Sequence, residues 1–138
     1  MQSLGICVIG AGDMGNQHLG AWKRVEATRL VATCDVREDR AAAAKEKHGV
    51  RRAYLRYQDA IDAEGVDVVS VCVPSSLHAE VCVYALQAGK HVLCEKPAAL
   101  TLEDADRMAE AAAKSGKHFA FGFCRRFGPE VAQLQSLV

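Results

Sequence analysis

Ile6-Cys7-Val8-Ile9-Gly10-Ala11-Gly12-Asp13-Met14-Gly15 is the stretch that decides how the rest of this chain is read. A short apolar run with β-branched residues enters Gly10, Gly12 and Gly15, the G-x-G-x-x-G spacing that closes a strand and opens a helix. Gly10 permits the tight turn. Gly12 has no Cβ to keep a pyrophosphate off the backbone, and Gly15 lets the helix pack closely on the strand. The first free N–H groups of that helix, at the positive end of its dipole, then face the phosphates.

Working outward, a second strand-like run, Leu30 to Cys34, ends in Asp35. That acid lies about 20 residues past Gly15, where a dinucleotide-binding unit places the carboxylate that accepts from the adenosine ribose. The competing role for Asp35 is N-cap of the next helix; the joint occurrence of strand, glycines and acid favours the ribose. A carboxylate there repels a 2′-phosphate, which points to NAD. Arg37 lies close by and keeps NADP open, because an arginine accepts that phosphate.

Composition sets the outer bounds. The 138 residues suit one domain with one good core. Lysine plus arginine and aspartate plus glutamate number 17 each, so the net charge is zero and no basic stripe points to nucleic acid. No apolar run approaches the length of a membrane-spanning helix. Cys7, Cys34, Cys72, Cys82, Cys94 and Cys124 form no C-x-x-C pair or zinc spacing, so no metal site is expected. They read as reduced, mostly buried small hydrophobes of a cytoplasmic protein. The first strand follows Met1 almost at once and leaves no room for a signal peptide.

Taken in order, the chain predicts a helix from Met14 to Val25 with Met14, His18, Ala21, Trp22 and Val25 on its apolar face, which makes His18 a half-buried helix residue and no ligand. A helix from Glu38 to Lys47 stops near Gly49, a short strand covers Ala53 to Leu55, and a brief helix Asp59 to Glu64. Val66 to Val73, nearly all β-branched, is expected as a central parallel strand ended by Pro74. A helix Leu77 to Ala88 and a strand His91 to Cys94 follow. Thr101 with Asp104 predicts a capped helix with Ala105, Met108, Ala109 and Ala112 inward and Gly116 at its end. Phe119 to Phe123 is a sixth strand, and Val131, Leu134 and Val138 share one side of a last amphipathic segment. Alternation of six strands with helices predicts an α/β fold, a doubly wound parallel sheet in the order 3-2-1-4-5-6. Right-handed crossovers bring the glycine turn, Asp35, Pro74 to His78, Glu95 to Pro97 and Cys124 to Arg126 to one edge, where such sheets bind ligands.

The motifs Gly10 to Gly15, Pro74-Ser75-Ser76-Leu77-His78, Gly89-Lys90-His91-Val92-Leu93-Cys94-Glu95-Lys96-Pro97 and Gly122-Phe123-Cys124-Arg125-Arg126-Phe127, in this order and spacing, resemble those of the Gfo/Idh/MocA oxidoreductases. The resemblance implies a Rossmann domain over residues 1–124 that binds NAD or NADP, with Asp13, Met14 and Ser75 among its cofactor contacts. It implies that Glu95 helps hold the nicotinamide ribose and that Pro74 and His78 line the nicotinamide half of the cleft. Lys96, also near the cofactor, would be catalytic, aimed at the reacting carbon of a sugar or polyol; its ammonium can stabilise charge developing on oxygen. Two departures stand out. Cys124 replaces a polar residue frequent in the family, and the second, largely β domain that supplies a catalytic histidine is absent. Residues 125–138 then read as the link toward it, and any homo-oligomer would form through that domain.

Three functions follow for comparison: the cofactor-binding portion of a dehydrogenase, a stand-alone nicotinamide-binding sensor or partner-dependent module, and an S-adenosylmethionine methyltransferase, which also uses a glycine turn and an acid. The Glu95-Lys96-Pro97 run argues against the third.

Overall fold

A computed structural model describes residues 3–136. Six strands, β1 (Leu4–Ile9), β2 (Thr28–Cys34), β3 (Arg52–Tyr54), β4 (Val68–Val71), β5 (His91–Cys94) and β6 (Phe119–Phe121), form one sheet in the order β3-β2-β1-β4-β5-β6. Every pairing is parallel, so all carboxyl ends share one edge, as the strand–helix alternation requires.

Period-2 alternation splits the interior into two layers. Ile6, Val8 and Val68 meet Leu19 of helix α1 (Asp13–Trp22) and Ala44 of α2 (Glu38–His48) on one face. On the other, Cys7, Ile9, Val69 and Val71 join the larger core with Ile61 of α3 (Tyr57–Ile61), Leu86 of α4 (His78–Gln87) and Met108 of α5 (Leu102–Ser115). Thr101 caps α5 as expected, its Oγ1 accepting the Asp104 N–H at 3.1 Å.

Several bounds and faces differ from the sequence reading. Helix α1 ends at Trp22, and its buried residues are Gly15 and Leu19, while Met14 and Val25 are exposed. The close approach of Gly15 to β1 decides which side turns inward, and Leu19 follows one turn later. Strand β4 is shorter than Val66 to Val73 and β6 shorter than Phe119 to Phe123; α3 starts two residues early. In α5 Met108 and Ala111 are the buried pair and Ala109 faces outward, because the buried stripe runs through i and i+3 from Met108. After β6 comes a short turn with Phe127 exposed, then α6 (Pro129–Gln135), whose Leu134 is also exposed; Val138 lies outside the described residues. No helix among the described residues is long and apolar enough to cross a membrane.

Candidate functional site

A cleft of about 680 Å³ opens at the carboxyl ends of β1, β2 and β4. Gly10, Gly12, Asp13, Met14, Asp35 and Pro74 line it; Gly15, Arg37, Ser75, His78, Glu95 and Lys96 do not.

The three motif glycines are needed for different reasons. Gly10 has φ +94°, and a Cβ there would lie 2.5 Å from the Cys72 carbonyl oxygen. A Cβ on Gly15 would lie 1.8 Å from the Gly10 oxygen, which measures how tightly α1 sits on β1. Gly12 has ordinary extended backbone and nothing within 4 Å of where its Cβ would be. No protein contact calls for glycine at position 12, and the backbone there is open to a group from outside. The loop fits a diphosphate for a second reason: no side chain caps α1, and its first intrahelical bond is Asn16 N–H to the Gly12 oxygen at 2.9 Å, leaving earlier amides over.

Side chains hold the loop from behind. The Asn16 amide donates to the oxygens of Ala11 and Gly12 (2.9 and 3.0 Å), and its own oxygen accepts from His48 Nε2 on α2 at 2.9 Å. Asp35 accepts the Ala11 N–H on one oxygen and the Arg37 N–H on the other, both at 2.9 Å. The N-cap of α2 is Arg37, so Asp35 is not the helix cap. Each carboxylate oxygen keeps a lone pair for a hydroxyl.

Arg37 turns away from the cleft. Its guanidinium engages the Asp39 carboxylate at 3.2 and 2.7 Å, which raises the arginine above its usual range and lowers the aspartate. The arginines that do line the cleft are Arg40 and Arg56, on segments whose spacing gave no hint of it. Cys34 and Cys72 also line it; burial pushes both thiols up to about 12, which leaves them as packing groups.

The other predicted residues lie along the β4 and β5 ends. His78 is buried beneath the edge, its ring nitrogens 2.8 Å from the Pro97 oxygen and 3.0 Å from the Val73 oxygen, between the segments that follow β5 and β4. Ser75 starts a short 3-10 turn ahead of α4. Glu95 is buried and turned toward α1, where its carboxylate meets His18 at 2.9 Å; Lys96 is exposed beside it. A second, apolar groove of about 370 Å³ runs past this contact, walled by Trp22, Val25, Leu93, Phe121 and Phe127. No cluster among the described residues could hold a metal ion.

Residues 4–123 match a family described as an oxidoreductase family with an NAD-binding Rossmann fold, GFO_IDH_MocA. The chain belongs to the Gfo/Idh/MocA family. The myo-inositol 2-dehydrogenase of Thermotoga maritima is 41% identical over 133 residues, covering 96% of this chain and 40% of that protein. The scyllo-inositol dehydrogenase of Lactobacillus casei with bound NAD(H) and scyllo-inositol superposes at a TM-score of 0.93 with 28% identity, over 99% of this chain and 41% of that one. A 3-ketoreductase of Actinomadura kijaniata in complex with TDP-benzene and NADP gives 0.91 and 30%, over 99% and 43%. The chain thus spans about two-fifths of the length of these relatives. Membership in the Gfo/Idh/MocA family removes the methyltransferase reading.

The sequence reading missed the partnership of His18 with Glu95. One signal was there: Ser70, a lone polar residue within the valine run of β4, sits on the face that α1 covers.

Proposed function

We propose that the chain binds a nicotinamide dinucleotide, with the diphosphate over Gly12 and the amides that open α1, and the adenosine ribose hydroxyls on Asp35. The observation that carries this reading is the empty space at Gly12 in a loop otherwise fixed by Gly10, Gly15, Asp35 and Asn16. NAD is preferred because Asp35 stands where a 2′-phosphate would come; Arg40 and Arg56, rather than Arg37, would temper that repulsion for NADP. Calorimetric titration of the intact chain with NADH and NADPH tests it: binding is expected, tighter for NADH, and no heat with either overturns the reading.

We further propose that the domain, residues 1–124, is the cofactor half of an enzyme that moves hydride between NAD and a sugar or polyol hydroxyl, with residues 125–138 leading toward a substrate domain. Bound NAD would supply the hydride acceptor. Lys96, exposed just past the carboxyl end of β5, would donate a hydrogen bond to the substrate oxygen and stabilise its developing charge. Pro74, with Val73 and Leu77, offers an apolar wall for the nicotinamide end. The proton acceptor is expected from the substrate domain, through which copies would also associate. Six free cysteines support a cytoplasmic setting.

A second reading, a cofactor-binding module completed by a separate protein, is favoured by the apolar groove and by exposed Phe123 and Phe127. Turnover of inositols or glucosides by the isolated chain would exclude it.

A further inference from the structure

Behind Lys96, polar side chains from α1, β4 and the β5 end meet in an otherwise apolar layer. Trp22 Nε1 donates to Ser70 Oγ at 3.3 Å, Ser70 Oγ lies 2.7 Å from His18 Nδ1, and His18 Nε2 lies 2.9 Å from Glu95 Oε1. The other Glu95 oxygen accepts the Lys96 N–H at 3.2 Å. Counting donors assigns a direction to this chain. A carboxylate only accepts, so the hydrogen between His18 and Glu95 belongs to Nε2. An indole N–H only donates, so Ser70 Oγ accepts from Trp22; with a second lone pair and its own hydrogen it can meet Nδ1 as acceptor or as donor.

The trio Ser70, His18 and Glu95 has the composition of a hydrolytic triad, but Ser70 is 0% exposed in the middle of β4, where no substrate reaches it. Its work is directed at the carboxylate. Glu95 Oε1 fills the space that a side chain at Gly122 would take, 2.8 Å from where its Cβ would lie. A buried carboxylate that loses one of its two donors must stay under-solvated or swing out, and either outcome disturbs the backbone bond to Lys96.

We propose that His18, oriented by Ser70 and Trp22, is the positioning residue of the Glu95–Lys96 turn, fixing the carboxylate so that the nicotinamide end of the cofactor site has one geometry. This inference rests on the dinucleotide reading above and deepens it. The test compares NADH with ADP, which reaches only the glycine-loop end, by NMR titration of the intact chain. His18→Leu is expected to weaken NADH about tenfold, the scale of a lost hydrogen bond to a charged group, with ADP nearly unchanged. His18→Gln, which keeps an N–H donor at similar reach, should restore most of the NADH affinity. Imidazole ¹⁵N shifts of the wild type should show His18 with its hydrogen on Nε2, and Ser70→Ala should perturb them. Unchanged NADH affinity in His18→Leu, or equal losses for NADH and ADP, overturns the inference. If His18→Leu does not fold, the wild-type spectrum decides, because a neutral ring with its hydrogen on Nδ1 overturns it as well. A wild-type chain that binds ADP and NADH equally weakly counts against His18; one that binds neither removes the dinucleotide reading itself.

Discussion

The Gly10–Gly15 turn after β1 and the Glu95–Pro97 turn after β5 share one edge of the sheet, two strands apart, yet they are built by opposite means. In the first, side chains serve the backbone: Asp35 and Asn16 take up the loop groups that face the protein and leave the amides opening α1 unused. In the second, the backbone and α1 serve a side chain. Glu95 is consumed inward by His18 and by the Lys96 N–H, and the Lys96 ammonium is what remains at the surface. A strand end with spare backbone donors is a seat for an anion; one whose polar atoms are spent inside is a mount for a single charged group.

The sharpest way to break this contrast is within the first turn, where two glycines should fail differently. Gly15→Ala puts a methyl against a backbone oxygen that cannot yield, and the overpacking should cost about 3 kcal/mol or more, seen as a large fall in Tm. At Gly12 a Cβ would meet no protein atom within 4 Å, so Gly12→Val should lower Tm far less, by no more than the loss of a favourable N-cap residue. The side chain would instead occupy the space proposed for the diphosphate, at a cost of about 3 kcal/mol, on the order of a hundredfold in NADH affinity by calorimetry. A Gly12→Val chain that binds as tightly as wild type would refute the seat.

Asp35→Ala comes next in size. It removes a carboxylate that both clamps the loop and faces the proposed ribose, so NADH affinity should fall about tenfold while NADPH, relieved of charge repulsion, loses less. Equal losses for the two nucleotides would show that Asp35 acts through Ala11 and Arg37 alone. Arg37→Ala should leave the ratio as it was, since that guanidinium is engaged by Asp39 outside the cleft.

The first turn was legible in the sequence because its causes are local. Glycine spacing, the β-branched run and the acid at the end of β2 all act within one β-α-β unit, and the alternation of strands and helices carried the order of the whole sheet. The second turn was not, because its partners are remote: His18 lies 77 positions from Glu95 and 52 from Ser70. Periodicity placed the inner face of α1 only in part: His18 and Trp22 are half-buried against the sheet as expected, while Met14, Ala21 and Val25 are exposed. Met14, His18, Ala21, Trp22 and Val25 outnumber the apolar residues of the other stripe, yet Gly15 fixes the contact with β1 and carries Leu19 inward with it. Arg37 illustrates the same limit on a smaller scale, since nearness in sequence to Asp35 placed it beside the ribose while Asp39 held it elsewhere.

The smallest expected effect is on pH dependence, and it sets the histidine behind the glycine turn against one remote from both turns. His48 braces the glycine loop through Asn16, whereas His91 lies at the opposite edge of the sheet, stacked on His118 with ring centroids 5.1 Å apart. Partial burial is the main cause that lowers both below the ordinary 6.5, helped by Lys47 and Lys23 around His48 and by His118 and Lys117 around His91. A lowered value means that the folded chain binds fewer protons than the unfolded one, so stability is fully present above about 6.5 and is lost as pH falls through that value toward the folded-state pKa values. Both residues are only half-buried, and solvent screening keeps the expected fall in Tm between pH 7.5 and 5 to a few degrees. His48→Gln retains a donor for Asn16, and with the titrating ring gone it should flatten part of that slope. His91→Gln should flatten a separate part, and because the two sites share no partner the double variant should show the sum. A slope that vanishes with one substitution alone would assign the acid sensitivity to that histidine and leave the other indifferent to protons.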